Sequence, residues 1–442
     1  MRNVAKLAVL TIVAGISAGC AKQYPISEEA LSNQVLSIAQ QPTATTTTAS
    51  KVPLNSFRTA LKTVAASHPR IKSADTQAKR AAAAVNERAA GTKPQASITG
   101  RAGQYDEGNG WNDAAAIGID VSQLIYDGGA TKASMDAAQA AMVKARFAAE
   151  ATRNQVIEGS ASTWIDVWYL QERIKQMNLR LDEAKPLITR IKKMAETGLA
   201  DRTIIEKADK SILDVKIERQ RLETALSEAS GKFQSYFGRQ PLKLAAPSVL
   251  ASEKLIATSL KSWKKSPQIA VSAAEVIIAD YELAIAKADL KPQIMGNLGS
   301  TAPLSSDNPV QSVGVVVKYT FGDGGRRKSR IESAQDRQRA AKDDLEATIQ
   351  DLEGAVSTAK LTYTDIQKGI DLVQQQIAVL KQSRETARSQ IASAQSNLNT
   401  LLETEIDLYR AEDRLLSLKA EKMKLEAKIL QLAGVLAEQV KN

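Results

Sequence analysis

The sequence predicts a mainly helical chain with a small membrane-type β part, built as two tandem copies of one long unit. Three observations carry that prediction. A turn with paired glycines occurs twice, as Tyr126-Asp127-Gly128-Gly129 and as Phe321-Gly322-Asp323-Gly324-Gly325. Each copy closes an alternating, glycine-containing segment and opens a helix-like run of 69 residues, 129–197 and 325–393. Aromatic residues make up only 4% of the chain, while Ala, Leu, Gln, Lys, Arg and Glu fill the long runs. This is the makeup of long helices with a narrow seam rather than of a large globular core.

The turn has a physical logic. Glycine tolerates backbone angles that other residues avoid, and the aspartate carboxylate can accept from the orphan N–H groups of the next helix. Asp127, Gly128 and Gly129, and likewise Asp323, Gly324 and Gly325, are therefore assigned as strand-to-helix hinges. Lys93-Pro94-Gln95 returns as Lys291-Pro292-Gln293 at an offset of 198, and His68-Pro69 matches Ser266-Pro267 at the same offset. From Asp127 to Asp323, and again from Gly238 to Gly434, the offset is 196. A slip of two residues confined to a hairpin loop is what loops tolerate and helices do not. The repeats are placed at 53–243 and 244–442.

The N-terminus reads as an export signal over residues 1–19. Arg2 and Lys6 supply its positive end, and the apolar core Leu7–Ala18 is too short to span a bilayer. It ends Ser17-Ala18-Gly19-Cys20, with Cys20 the only cysteine of the chain. A small-small-Cys ending resembles a bacterial lipobox, so Cys20 is the expected lipidation site, and Ala21 leaves the outer membrane as the default destination. Loss of Arg2 and Lys6 would take the formal charge from +10 to +8. That excess alternates with acids along helices without interleaved aromatics, which argues against a nucleic-acid partner. Residues 20–52 are polar and Thr-rich and read as a tether.

Ser56–Ala90 then reads as one helix, ended by Gly91 and blocked by Pro94. Strands come next, within 95–126: residues 95–105 and 114–126 around a polar Asp106–Asp113 loop. Ile117, Ile119 and Val121 alternate with Gly118, Asp120 and Ser122, the period of a strand with unlike faces. In the second repeat strands are expected within 293–321, as 293–301 and 311–321 around Pro303–Pro309, with Val313, Val315, Val317 and Tyr319 on one face. One apolar face and about ten residues suit a transmembrane barrel wall, yet barrels need about eight strands and an open edge cannot sit in lipid. If these strands span a membrane, several chains must share one barrel. Three chains giving twelve strands is the simplest closure with a usable lumen.

Helices are expected over 129–238 and 325–434, each a long rod and its return. In the second, Leu345, Ile349, Leu352, Val356, Ala359, Tyr363, Ile366, Ile370, Val373, Ile377 and Leu380 are spaced four and three without a break, a coiled-coil seam. Leu170, Ile174, Met177, Leu181, Ala184, Ile188, Ile191 and Ala195 repeat it in the first. A rod of this length spans about 100 Å at ~1.5 Å per residue. Gly198–Thr203 and Ser396–Thr400 are the expected turns, and Pro186 is expected to kink the first rod. For the basic cluster Arg326, Arg327, Lys328 and Arg330 two readings stand: a solvated helix face, or contact with anionic lipid headgroups.

Catalytic chemistry finds no foothold. The only histidine, His68, lacks neighbours at ligand spacing and reads as a helix-end residue, and no phosphate loop, nucleophile elbow or paired catalytic carboxylates can be found. Trp164, Trp168 and Tyr169 read as packing. No enzyme activity, cofactor or metal is expected.

The order helix, Lys-Pro-Gln, strand pair, Asp-Gly-Gly turn, long seam helix and return helix, given twice from Leu54 to Leu436, resembles the TolC family of outer membrane efflux proteins. The resemblance implies a homotrimer whose twelve-stranded β-barrel in the outer membrane continues as a coiled-coil α-helical barrel into the periplasm. It implies a periplasmic membrane-fusion adaptor and an inner-membrane transporter, of RND or ABC type, as partners beside outer membrane lipid. It also implies a gate at the periplasmic tip with acidic rings. The matching positions are Glu206 and Glu403, in Thr203–Glu206 and Thr400–Glu403, with Asp201 as a substitute because Ile204 and Thr400 stand where the family often has further aspartates. The expected function is the passive exit duct of a tripartite efflux or type I secretion system. The alternative is a periplasmic coiled-coil adaptor or scaffold lipoprotein.

Overall fold

The computed structural model describes residues 32, 34–38, 56–106, 111–196, 202–303, 309–392 and 398–441. The export signal, Cys20 and most of the tether fall outside them. Within the tether, residues 34–38 are helical with Val35, Leu36 and Ile38 exposed, which a purely irregular linker did not anticipate.

The elements are α1 (Phe57–Ser67), α2 (Pro69–Ala90), β1 (Gln95–Asp106), β2 (Trp111–Tyr126), α3 (Ala130–Glu196), α4 (Arg202–Phe237), α5 (Glu253–Ser262), a 3-10 turn (Trp263–Lys265), α6 (Pro267–Ala288), β3 (Gln293–Pro303), β4 (Val310–Lys318), α7 (Arg326–Ala392), α8 (Leu398–Leu432) and α9 (Leu436–Lys441). They gather into two compact units, each drawing on both repeats. The smaller holds 84–136 and 281–335, and the larger 50–83, 137–280 and 336–442.

The expected helix Ser56–Ala90 is two helices. His68 is extended at φ −62° and ψ 130°, because a residue before proline is pushed out of the helical region. Its ring takes over a capping role: Nδ1 accepts the Arg70 N–H at 3.2 Å. Ser266 does the same in the second repeat, its Oγ accepting the Gln268 N–H at 3.4 Å ahead of α6. His68 is therefore a histidine in a serine's position.

The smaller unit is a four-stranded antiparallel sheet in the order β1-β2-β3-β4, with the ends of the helices that enter and leave it. Strand limits differ from expectation where partners decide. β2 begins at Trp111, since β1 pairs through Asp106 opposite it. β4 stops at Lys318, since its partner β3 begins at Gln293 directly opposite. Tyr319 and Phe321 lie beyond the ladder, their rings edge to face at 5.3 Å.

In the larger unit α4 returns beside α3 and α8 beside α7, and α8 also lies along α3. Contacts fix this: Arg173 of α3 reaches Glu218 of α4 at 3.3 Å and Asp413 of α8 at 2.5 Å, and Arg388 of α7 reaches Glu405 of α8 at 2.8 Å. On α7 the expected seam is the buried stripe, with Leu352, Val356, Ala359, Tyr363, Ile366, Val373 and Ile377 buried while most of the intervening positions are exposed. On α3 the stripe widens into a core. Trp164 is fully buried among Phe57, Phe233 and Phe237 at 5.7, 5.9 and 5.8 Å, and its indole Nε1 donates to the Ala245 carbonyl at 3.2 Å. Trp168 and Tyr169 pack against this cluster. α3 runs on through Pro186 to Glu196; the residues that join it to α4, and α7 to α8, lie outside the described ones, although Leu398–Thr400, expected in the turn, already belong to α8.

Trp164→Ala should cost about 3–5 kcal/mol, since it empties an aromatic site and orphans a carbonyl. Thermal unfolding followed by far-ultraviolet circular dichroism measures it. Burial, then the charge of Arg70, lowers the pKa of His68 from its ordinary 6.5. A lowered histidine value makes its contribution present above pH 6.5 and lost as pH falls through the folded value. His68→Asn keeps a capping acceptor without a titrating ring, so its melting midpoint should fall less than that of wild type across the same acid range.

Candidate functional site

Three regions carry the residues that function would use: the faces of the sheet, the two hinges, and the ends of the helical hairpins.

The sheet has unlike faces. Register places Ile98 opposite Ile119, Val121 opposite Leu298, and Leu298 opposite Val313, so these side chains share one face with Ile117, Val315 and Val317. All of these but the half-buried Val121 are exposed, up to 82% at Val313. The other face is polar and small over Ser97, Thr99, Gly118, Asp120, Asn297, Gly299 and Ser312, with Val310 and Val316 of β4 as its exposed apolar members. Thr99 Oγ1 donates to the Asp120 carboxylate at 3.2 Å, over a lane that Gly118 and Gly299 keep open. Among the described residues β1 and β4 each pair on one side only.

The two Asp-Gly-Gly turns share one backbone form. Gly128 and Gly129 stand at φ +72° and +94°, Gly324 and Gly325 at +65° and +89°, all left-handed conformations that favour glycine. Asp127 accepts from the N–H groups of Gly129 and Thr131 at 3.0 and 2.7 Å, and Asp323 from those of Gly325 and Arg327 at 3.1 and 3.0 Å. The fastenings differ. At the first hinge the Thr131 hydroxyl adds a third donor to Asp127, and Lys291 Nζ donates to the Gly128 carbonyl at 3.2 Å. At the second, the Arg327 guanidinium donates to Asp323 at 2.8 Å, to the Thr320 carbonyl at 2.6 Å and to the Asp289 carbonyl at 3.3 Å. Arg330 pairs with the Asp289 carboxylate. Of the basic cluster, Arg327 is thus a clamp rather than a solvated or lipid-facing charge; Arg326 and Lys328 remain exposed. Hydrogen bonding to Arg327 holds the Asp323 carboxyl below the usual carboxylate range.

At the hairpin ends, Glu206 and Glu403 are exposed near the starts of α4 and α8 and make no ion pair among the described residues. Asp201 lies outside those residues. What the structure adds is a ladder of charges further along the helices. Arg173 holds Asp413 through two donors at 2.5 and 2.9 Å, and Arg180 pairs with Glu412 and, at 2.7 Å, with Glu183. Lys381 approaches Glu412 from α7 at 3.8 Å. Burial disfavours the charges of Arg173 and Arg180, but the hydrogen-bonded carboxylates outweigh it and raise both values. Burial, with Asp413 adjacent, pushes Tyr409 up to about 12. Beside this ladder lies a cavity of about 560 Å³ between the two hairpins, lined among others by Met177, Leu181, Val215, Leu401 and Ile406. Two hairpins joined by charges over a loosely filled gap can part without unpacking a core. The signal for the ladder was present in the sequence: Arg173 and Arg180 stand seven apart beside seam residues, as do Lys381 and Arg388, and Glu405 and Glu412.

Among the described residues no cluster of His, Cys, Asp and Glu could hold a metal, and no helix is long and apolar enough to cross a membrane. The family model described as "Outer membrane efflux protein" matches residues 60–239 and 261–435. A curated relative, the pyoverdine export outer membrane protein OpmQ of Pseudomonas aeruginosa, is 22% identical over 344 residues, covering 73% of this chain and 70% of its own length. Among solved structures, the Vibrio cholerae outer membrane protein VceC aligns with a TM-score of 0.76 at 15% identity, over 86% of this chain and 96% of its own. CusC aligns with a TM-score of 0.76 at 16% identity, over 85% and 91%.

Arg327→Lys tests the clamp, because an ammonium cannot span three acceptors as a planar guanidinium does. Amide hydrogen exchange should quicken over 323–327 and stay unchanged at 127–131.

Proposed function

The chain belongs to the outer membrane efflux protein family, and we propose that three copies form one passive exit duct. Family membership also sets its location, the outer membrane with an extension into the periplasm. In this reading each copy supplies four strands to a twelve-stranded wall, with the apolar face of the sheet toward lipid and the polar face toward the lumen. The helical hairpins continue the duct and meet a periplasmic adaptor and an inner-membrane transporter, which supplies the energy.

One observation carries the proposal: a sheet with an exposed apolar face and two half-paired edges. Lipid offers nothing to satisfy an edge, and four strands cannot curl closed on themselves. A further support comes from the flanks of the helical layer, where Leu361, Leu372 and Val379 of α7 and Leu213 and Ile217 of α4 are more than half exposed in a single copy. The rival reading, an adaptor or scaffold lipoprotein, conflicts with a family match that runs through both repeats. The curated relative is named for exporting pyoverdine, which favours small-molecule efflux over protein secretion as the task of this chain.

The gate we assign to the hairpin ends. Glu206, Glu403 and Asp201, each in three copies, would form acidic rings that draw cations. The Arg173–Asp413 and Arg180–Glu412 pairs would hold one hairpin against the other until an adaptor prises them apart.

Purified wild type in planar bilayers should show low conductance. The double variant Arg173→Ser, Arg180→Ser should raise it severalfold, because Glu412 and Asp413 of α8 then face Glu183 of α3 and Glu218 of α4 with no cation between them. Glu206→Gln with Glu403→Gln should leave conductance low and shift the reversal potential in a salt gradient away from cation preference. An unaltered trace for all four substitutions would remove the gate from these residues.

A further inference from the structure

We infer that the seam between neighbouring copies repeats the seam inside one copy, with β4 pairing to β1 of the next copy so that Val315 faces its Ala102, and with Lys93 of that next copy fastening the second hinge. The inference rests on the proposed assembly of several copies and adds to it a register and a contact.

The duplication is kept to the residue in the ladders. Ile98 faces Ile119 in the first hairpin, and the same pair moved by the offsets of the two strands, 198 and 196, is Gly296 facing Val315 in the second, as observed. One ladder remains, between the repeats, where Ile119 of β2 faces Ser300 of β3. Moved by the same offsets, its counterpart joins β4 to a β1, with Val315 facing Ala102. No single chain can make that ladder, because its own β1 and β4 are the opposite edges of the sheet. Both candidate edges are bare: β4 is exposed along its whole length and Ala102 is exposed.

The hinges say the same thing independently. The first is covered by the end of α6: a Cβ on Gly128 would come within 2.8 Å of both the Ala288 carbonyl and the Lys291 side chain, and Lys291 Nζ donates to the Gly128 carbonyl. At the second hinge nothing lies within 4 Å of a Cβ placed on Gly324. The counterparts of Ala288 and Lys291 at the offset of 198 are Ala90 and Lys93, at the end of α2 beside β1. Lys93 is exposed, and its ammonium meets no partner among the described residues. An uncovered hinge and an unused lysine are the two halves of a contact that the first repeat completes within the chain. A next copy docked in the stated register brings them together.

The test is cysteine cross-linking of the full chain, purified in detergent. Ala102→Cys combined with Val315→Cys should give dimers and trimers on oxidation that collapse on reduction, since facing Cα atoms lie about 4.5–5.5 Å apart, within disulfide reach. Ala102→Cys combined with Val313→Cys, displaced by two residues and so about 7–8 Å away, should give none. The two single-cysteine variants control for Cys20. Cross-linking by the displaced pair instead, or by neither pair in a preparation that light scattering shows to be trimeric, overturns the register while the duct reading stands. A monomer in light scattering overturns both. Lys93→Ser leaves every contact within one copy intact and should lower the temperature at which trimers dissociate on gels; an unchanged temperature overturns the lysine contact.

Discussion

The sheet answers to one constraint, that backbone N–H and C=O groups cannot stand unpaired in lipid. A sheet with its apolar residues on one face and half-paired strands at both edges is a fragment of a wall, not a wall. Apolar side chains from Ile98 on β1 to Val317 on β4 make it fit for lipid, while the unpaired backbone of β1 and β4 makes it unfit to stand alone there. Assembly is then a requirement of the hydrogen-bond inventory rather than an added property.

The helices solve a different problem with the same two-copy plan. α7 keeps a narrow seam, buried on one stripe and exposed elsewhere, although α6 as well as α8 reaches it, through Ser272 to Thr348 and Asp280 to Gln338. α3 has neighbours on two sides and buries a fuller girth near Trp164, where α1 and α4 also contribute. Duplicated elements have therefore diverged in role. The charges have diverged with them: Arg173 and Arg180 tie α3 to α8, whereas their counterparts on α7 are Gly369 and Gln376, and α7 meets α8 further along through Lys381 and Arg388. The hinges show the same drift, Asp127 and Asp323 keeping the turn while Thr131 and Arg327 fasten it by unlike chemistry.

Strand limits and the helix break show where local pattern yields to partners. Alternation in β4 runs on to Tyr319 and Phe321, but the ladder stops when β3 has no residue left to offer. Helical composition runs through His68, but the proline after it forbids the helical region, and the imidazole is recruited to cap α2. In neither case is the sequence misleading about residue type. It is silent about which neighbour is present to accept or refuse the next hydrogen bond.

The sequence by itself determined the period of each segment, the two glycine hinges, the duplication with its offsets and the seam of α7, because all of these depend on near neighbours along the chain. From strand number it also required more than one copy if the strands span a membrane. Only the tertiary structure decided that α8 lies along α3, that Arg173 and Arg180 find Asp413 and Glu412 more than two hundred residues away, and that Arg327 is a clamp. Those facts depend on which surfaces meet, and a meeting of surfaces leaves no period in a sequence.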